Sequence, residues 1–218
     1  PYAITTSKDC KQIIKPRTSF QHKGNFGHAL LIAGSLGKTG AAVLAARAAL
    51  RSGVGLLTVH IPKSSNVILQ TAVPEAMTDL DAHDAFTTYC SSIDQYHTIG
   101  VGPGIGQQPE TINALAKVLT QFEKPMVLDA DALNILASHR ELLPVVPKGS
   151  ILTPHSKEFE RLVGTWTSDF QRLEKQQELA AKLKCVVLVK GDYTAIASPE
   201  GNIYFNSTGN PGMATGGS

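Results

Sequence analysis

Several stretches of this chain combine residue types that can bind an anion, order a cation or carry a proton. The last ten residues read Gly209-Asn210-Pro211-Gly212-Met213-Ala214-Thr215-Gly216-Gly217-Ser218. Glycines so close together let successive backbone N–H groups turn toward one point, as a bound anion requires. Such a turn normally opens a helix whose positive end supports the anion. No helix follows here, and a frayed tail is the plainer alternative. Upstream, Lys190-Gly191-Asp192-Tyr193-Thr194 closes an apolar run, where a lysine or threonine can hold a nucleotide phosphate; lysine is also common at exposed strand ends. Asp129 and Asp131 stand two apart and share a face if their strand continues that far. Asp131 directly precedes Ala132-Leu133-Asn134-Ile135-Leu136 and is expected to cap that helix. Asp129 is evenly balanced between a ligand or metal-water role and a structural one. In Thr153-Pro154-His155-Ser156-Lys157-Glu158, Ser156 is placed to cap a helix and Glu158 falls in its first turn, where negative charge is favoured. His155 sits at the corner itself.

These groups act together only if a scaffold gathers them, and the hydrophobic pattern supplies one. Residues 28–33 are continuously apolar, as in a strand buried on both faces of a parallel sheet. They run into Gly34-Ser35-Leu36-Gly37-Lys38-Thr39-Gly40. This imitates a P-loop, but the motif requires glycine where Ile32 stands, so that reading is rejected. What remains is a glycine-rich strand-to-helix turn. An alanine-rich helix over residues 41–52, ended by Gly53, and a strand over 55–62 follow. Further strands are expected at 76–78, 97–101, 125–131, 150–153, 186–190, 194–197 and 202–205. Helices are expected at 65–70, 109–122 and 170–183 between them. Gly102-Pro103-Gly104-Ile105-Gly106 is a second glycine turn at a strand end. Strand and helix alternate, and the polar corners fall at successive strand ends. That predicts a doubly wound, mostly parallel sheet with helices on both faces and ligands along its carboxyl edge.

Composition narrows the function. The chain has 218 residues, 42% of them apolar, and a net charge of +2, so it suits one α/β domain and gives no sign of a nucleic-acid or membrane surface. Cys10, Cys90 and Cys185 lie in no metal or redox spacing, which suits a reducing, cytoplasmic setting. Residues 1–27 are polar and basic and read as a solvated arm, with a short helix near Ile13-Ile14 stopped by Pro16. The start at Pro1 suggests a piece of something longer.

The set Lys23-Gly24-x-x-Gly27, Ala33-Gly34-Ser35, Gly40-Ala41-Ala42, Gly102-Pro103-Gly104, Leu128-Asp129-Ala130-Asp131-Ala132-Leu133-Asn134, Thr153-Pro154-His155-x-x-Glu158, Val189-Lys190-Gly191-x-x-Thr194 and Gly209-Asn210-x-Gly212-Met213-Ala214-Thr215-Gly216-Gly217-Ser218 resembles the NAD(P)H-hydrate dehydratases of the ribokinase-like superfamily. The motifs cover nearly the whole chain in order; each is weak alone and they are specific together. The resemblance implies a ribokinase-like α/β domain over residues 28–218. It implies repair of hydrated NADH or NADPH with ADP, or ATP, as co-substrate, releasing AMP and phosphate when ADP is used, with Mg²⁺ on the transferring phosphoryl group. By match to its motifs, Ala41, Gly104 and His155 contact the hydrated dinucleotide, and Lys190, Gly191, Asp192, Tyr193 and Thr194 hold the nucleotide. Asn210, Gly216, Gly217 and Ser218 form an anion hole. Glu158, and Asp129 through water, organise the metal. A homo-oligomer such as a tetramer, and fusion to an epimerase domain, are also compatible with it. In one respect this chain departs from the pattern, which continues past Gly-Gly-Ser into Gly-Asp, whose aspartate activates the hydroxyl. No catalytic base is therefore expected within the chain. A chain ending at Ser218 is expected to bind ligand weakly and turn over slowly, since general-base catalysis is worth roughly 10²–10⁴-fold. Its sheet is also expected to leave apolar strand surface uncovered. The rival readings are a ribokinase-like kinase acting on a vitamin precursor and a non-catalytic nucleotide-binding module.

Overall fold

The apolar run at residues 28–33 becomes β2 (His28–Ile32), the strand on which both faces of the sheet depend. Leu31 and Ala33 pack into one buried cluster, Leu30 and Ile32 into another on the opposite side. Around β2, a computed structural model describes the whole chain except residues 1, 15, 91, 214, 215, 217 and 218. The expectations for Gly217 and Ser218 lie outside the described residues.

In chain order the elements are β1 (Tyr2–Ile4), α1 (Ser7–Ile13), β2, α2 (Thr39–Arg51), β3 (Leu56–Ile61), α3 (Asn66–Ala72), β4 (Met77–Leu80), β5 (Thr98–Val101), α4 (Pro109–Gln121), β6 (Met126–Leu128), α5 (Asp131–Ser138), β7 (Ile151–Leu152), α6 (Ser156–Val163), α7 (Asp169–Leu183), β8 (Val186–Val189), β9 (Thr194–Ala197) and β10 (Ile203–Asn206). They build one ten-stranded sheet in the order β1-β10-β9-β8-β7-β6-β5-β2-β3-β4. Every pairing from β4 across to β8 is parallel, and β9 forms an antiparallel hairpin with β10. Strand order reverses at β2, which has β3 on one side and β5 on the other. This is the expected doubly wound α/β architecture. Buried residues of α2 and α3 cover the face carrying Leu31, Val59 and Ile61. Those of α4, α5, α6 and α7 cover the opposite face. The first face is less covered beyond β5: Val127 and Ile151, in register with Gly100 on that side, remain 38% and 37% exposed.

The first 27 residues are more structured than a solvated arm. Tyr2–Ile4 pairs in parallel with β10, at the far edge of the sheet. The short helix lies earlier than expected, at Ser7–Ile13 rather than around Ile13-Ile14, because Thr6 and Asp9 form a reciprocal capping box. Arg17 donates from Nη2 to Gly53 O at 2.7 Å and lies over the Phe26 ring, which docks the basic lead-in against the end of α2. Among the described residues, no helix is long and apolar enough to cross a membrane.

A buried polar cluster fastens the other edge. His60 on β3 donates from Nδ1 to Asp79 Oδ2 at 2.8 Å and from Nε2 to Asp81 Oδ2 at 3.2 Å. Asp81 also accepts from the backbone N–H groups of His83, Thr88 and Tyr89, so it gathers the segment after β4 over the sheet. Burial opposes the imidazolium, but the hydrogen bonds to Asp79 and then Asp81 outweigh it and raise the His60 pKa above 6.5. Burial alone would raise Asp81; the His60 ring, His83 N–H and Thr88 override it and hold the carboxyl well below the usual range. The contribution of Asp81 is complete above its unfolded value and lost as pH falls through its lower folded one. That of His60 is complete below its unfolded value and lost as pH rises through its higher folded one. This pair therefore stabilises fully between about pH 4 and 6.5. Urea midpoints measured across pH should decline above that window in the native protein, and His60→Gln should flatten the decline.

Candidate active site

The reversal at β2 sets the β2 and β5 corners side by side, and at such a point open α/β sheets bind ligands in a crevice. Both glycine-rich turns meet there. Gly34 N donates to Pro103 O at 2.8 Å, and Ser35 Oγ to Gly104 O at 2.7 Å. Gly104 has φ +70, and a Cβ placed on it would stand 3.2 Å from Ala41 Cβ and 3.1 Å from Lys38 Cβ. Ala41 and Gly104, expected on substrate, are thus brought into contact with each other.

The next corner differs from expectation. β6 stops at Leu128, so Asp129 and Asp131 leave the sheet instead of sharing a strand face. The N-cap of α5 is Ala130, and Asp131 is the first helical residue, not the cap. Asp131 Oδ2 instead accepts from Gly106 N at 2.9 Å and lies 3.6 Å from Lys38 Nζ. One carboxylate thereby ties together the corners after β2, β5 and β6. Ala130 takes φ 49 and ψ −118, a conformation costly for a residue with a Cβ. The neighbouring corner enforces it: a Cβ on Gly102 would fall 1.8 Å from Asp129 O.

Asp129 and Lys190 do come together. Asp129 Oδ1 accepts from Lys190 Nζ and from Thr153 Oγ1, each at 2.8 Å. Three strand ends, β6, β7 and β8, so converge on one carboxylate oxygen. Lys190 N also donates to Pro154 O at 2.9 Å, and His155 and Lys190 form a parallel bridge. His155, rather than Ser156, caps α6: its Nδ1 accepts from Lys157 N and Glu158 N, and its N–H donates to Glu158 Oε2 at 2.9 Å. With Nδ1 accepting, the ring proton belongs on Nε2, which faces Glu158 Oε1 at 3.3 Å. Histidine wins the cap because its ring spans to the N–H of the third helical residue while Glu158 reaches back. Glu158 is buried in this exchange, and no hydrogen bond among the described residues joins it to Asp129.

Gly191, Asp192 and Tyr193 form an exposed turn, and Thr194 opens β9 with its Oγ1 donating to Gly191 O at 3.3 Å. β10 runs parallel to β8 in direction, so the tail after it emerges at the same edge. Gly209 packs there: a Cβ on it would be 2.9 Å from Asp192 O. Asn210 Oδ1 accepts from Gly212 N at 2.8 Å, opening a short 3-10 turn over Pro211–Met213, and Gly216 is exposed. The sequence did not single out Ser35, Lys38 or Thr153 for the tethers they make. For Lys38 the signal was present in the glycine turn, but its partner lies far along the chain.

A profile of the NAD(P)H-hydrate dehydratase family matches residues 29–218. A bifunctional NAD(P)H-hydrate repair enzyme of Moorella thermoacetica is 36% identical over 99% of this chain and 42% of its own length. The chain thus spans about two fifths of that relative. It spans 75% of the ADP-dependent (S)-NAD(P)H-hydrate dehydratase of Bacillus subtilis, which is 36% identical over 97% of this chain. The crystal structure of the ADP/ATP-dependent dehydratase of Bacillus subtilis, co-crystallised with ATP/Mg²⁺, superposes with a TM-score of 0.82 at 33% identity, over 99% of this chain and 76% of that one. A ribokinase-like superfamily protein of Enterococcus faecalis gives 0.85 at 28% identity, over 99% and 75%.

Since Asp131 holds the Gly106 N–H, Asp131→Ala should raise hydrogen exchange at that amide about tenfold, as loss of a half-buried charged acceptor worth about 1.5 kcal/mol requires. Exchange at β2 amides should not change.

Proposed function

This chain belongs to the NAD(P)H-hydrate dehydratase family, and on that premise we propose that the protein restores (S)-hydrated NADH or NADPH with ADP as co-substrate. The observation that carries this reading is the arrangement of the carboxyl edge. Small residues line the crevice on one side of it, and a tethered lysine stands at the strand ends on the other. A dinucleotide needs close backbone approach, which Ala41 and Gly104 allow, and His155, bridged to Lys190, is the further residue proposed on it. Lys190, the exposed turn Gly191-Asp192-Tyr193, Thr194 and the tail around Asn210 and Gly216 form the nucleotide half.

The reaction balances without an external water. The hydrate hydroxyl gives its proton to a base and takes the terminal phosphoryl of ADP, and AMP leaves. The ring C–O bond then breaks with phosphate as leaving group, a proton leaves the adjacent carbon, and the double bond returns. Asp129 and Thr153 keep Lys190 Nζ at the edge before the nucleotide arrives, so its charge needs little reorganisation to meet phosphate. Asp129 and Glu158 are hard oxygen donors and suit Mg²⁺ held through water. The oxygen of Asp129 that already accepts from Lys190 and Thr153 argues against direct ligation by it. When bound, the ion would neutralise charge on the transferring phosphoryl group. Action in the cytoplasm as a homo-oligomer, with an epimerase domain in the same protein, completes the proposal.

The protein expressed from its natural gene should convert NADH hydrate, ADP and Mg²⁺ into NADH, AMP and phosphate, read as recovery of nicotinamide absorbance. A stable phosphorylated product without that recovery would overturn the assignment in favour of a kinase. Lys190→Gln should raise KM for ADP roughly tenfold or more, the loss of one charge-assisted hydrogen bond.

A further inference from the structure

The cluster at the β3–β4 edge has a second capacity. We propose that His60, Asp79 and Cys90 bind a divalent transition-metal ion, and that Zn²⁺ is the ion their chemistry matches. His60 and Asp79 are register partners on adjacent parallel strands, so their side chains stand side by side on one face. The segment that Asp81 gathers carries Cys90 over that face. One donor atom from each residue lies within 4.8 Å of the other two. Ligand atoms around a tetrahedral zinc stand roughly 3.5 Å apart, given bonds of about 2.0–2.3 Å, so modest side-chain adjustment closes the site.

The donor set discriminates. Imidazole nitrogen, carboxylate oxygen and thiolate sulfur together suit zinc and exclude magnesium and calcium, which take oxygen. The surroundings are those of a metal-binding histidine. Asp81, with its side chain wholly buried, accepts from His60 Nε2 and is itself fixed by His83 N at 2.8 Å, Thr88 N at 2.6 Å, Thr88 Oγ1 at 2.7 Å and Tyr89 N at 3.2 Å. A carboxylate so anchored orients the ring and leaves Nδ1 as the ligating atom. The Tyr89 ring meets His60 edge-on at 5.9 Å and limits its rotation. Asp79 retains 24% exposure, which leaves an approach from solvent and room for water as a further ligand. Binding releases the Nδ1 and thiol protons as a dication enters, so the net charge of the cluster does not change. The cluster adjoins β2, where Ile32 is the register partner of His60, and none of its three ligands is among the residues assigned to the candidate active site.

Cobalt reports the geometry and the sulfur together. The purified protein, stripped with chelator and titrated with Co²⁺, should bind one ion per chain with the visible bands of a tetrahedral site and a thiolate-to-cobalt charge-transfer band. Zn²⁺ should displace it. Cys90→Ser should abolish the charge-transfer band and weaken Zn²⁺ at least about tenfold, while Cys10→Ser and Cys185→Ser retain the band. Asp81→Asn should weaken Zn²⁺ about 10–100-fold. A band that survives Cys90→Ser, or binding no tighter than in that variant, overturns the proposal. Should Cys90→Ser fail to fold by circular dichroism, alkylation of the unaltered protein decides. Zn²⁺ should slow labelling of Cys90, mapped by peptide mass, at least tenfold relative to exposed Cys10; equal rates overturn the site.

Discussion

Parallel pairing is the constraint on which everything else here rests. Neighbouring parallel strands cannot be joined by a tight turn; each connection must return over a face of the sheet. Every strand from β2 to β8 consequently ends at one edge, and every polar corner is delivered there. Reversal of strand order at β2 adds the crevice, because α2 and α4 depart to opposite faces and only the two glycine turns remain between them. Glycine is required at Gly102 and Gly104 because these turns press against backbone and side chains of neighbouring corners at positive φ.

Once the corners share an edge, carboxylates hold them in place. Asp131 joins the corners after β2, β5 and β6, Asp129 those after β6, β7 and β8, and Glu158 locks His155 at the start of α6. Each tether links residues far apart in sequence or fixes a ring in one tautomer. Together they make a preorganised rim: the groups need not be ordered again when a ligand binds. The strained Ala130 belongs to the same economy, since only a corner held from several sides keeps a non-glycine residue there.

The fold was legible because its signal is local. The apolar runs of β2 and β8, the glycine turns and the hairpin of β9 and β10 each speak within a few residues, and their alternation sufficed for the sheet. Membership of the family was legible in the motifs taken together. Partner choice was not. Asp131 looks like a cap because a carboxylate before a helix usually is one; that it faces Gly106 instead depends on where β6 stops. Ser156 looks like a better cap than His155 until the ring and Glu158 are seen in three dimensions. Thr6 and Asp9 did carry a local capping signal that a basic, polar stretch obscured. The union of His60 with Asp79 and Asp81 spans 19 and 21 residues and has no motif, only strand register.

The pairing of β1 with β10 sets an order of events. Tyr2 lies beside Ile203, so β1 finds its place only when residues made about 200 positions later have formed the hairpin with β9. Closing so long a loop is not costly in itself, since each doubling of length adds only about 0.6 kcal/mol. Its consequence is temporal: until β9 and β10 have been made, β1 has no template. The segment Ser7–Ile13 is too short to be a stable helix alone, but its capping box makes it the part of this stretch with the strongest local preference meanwhile.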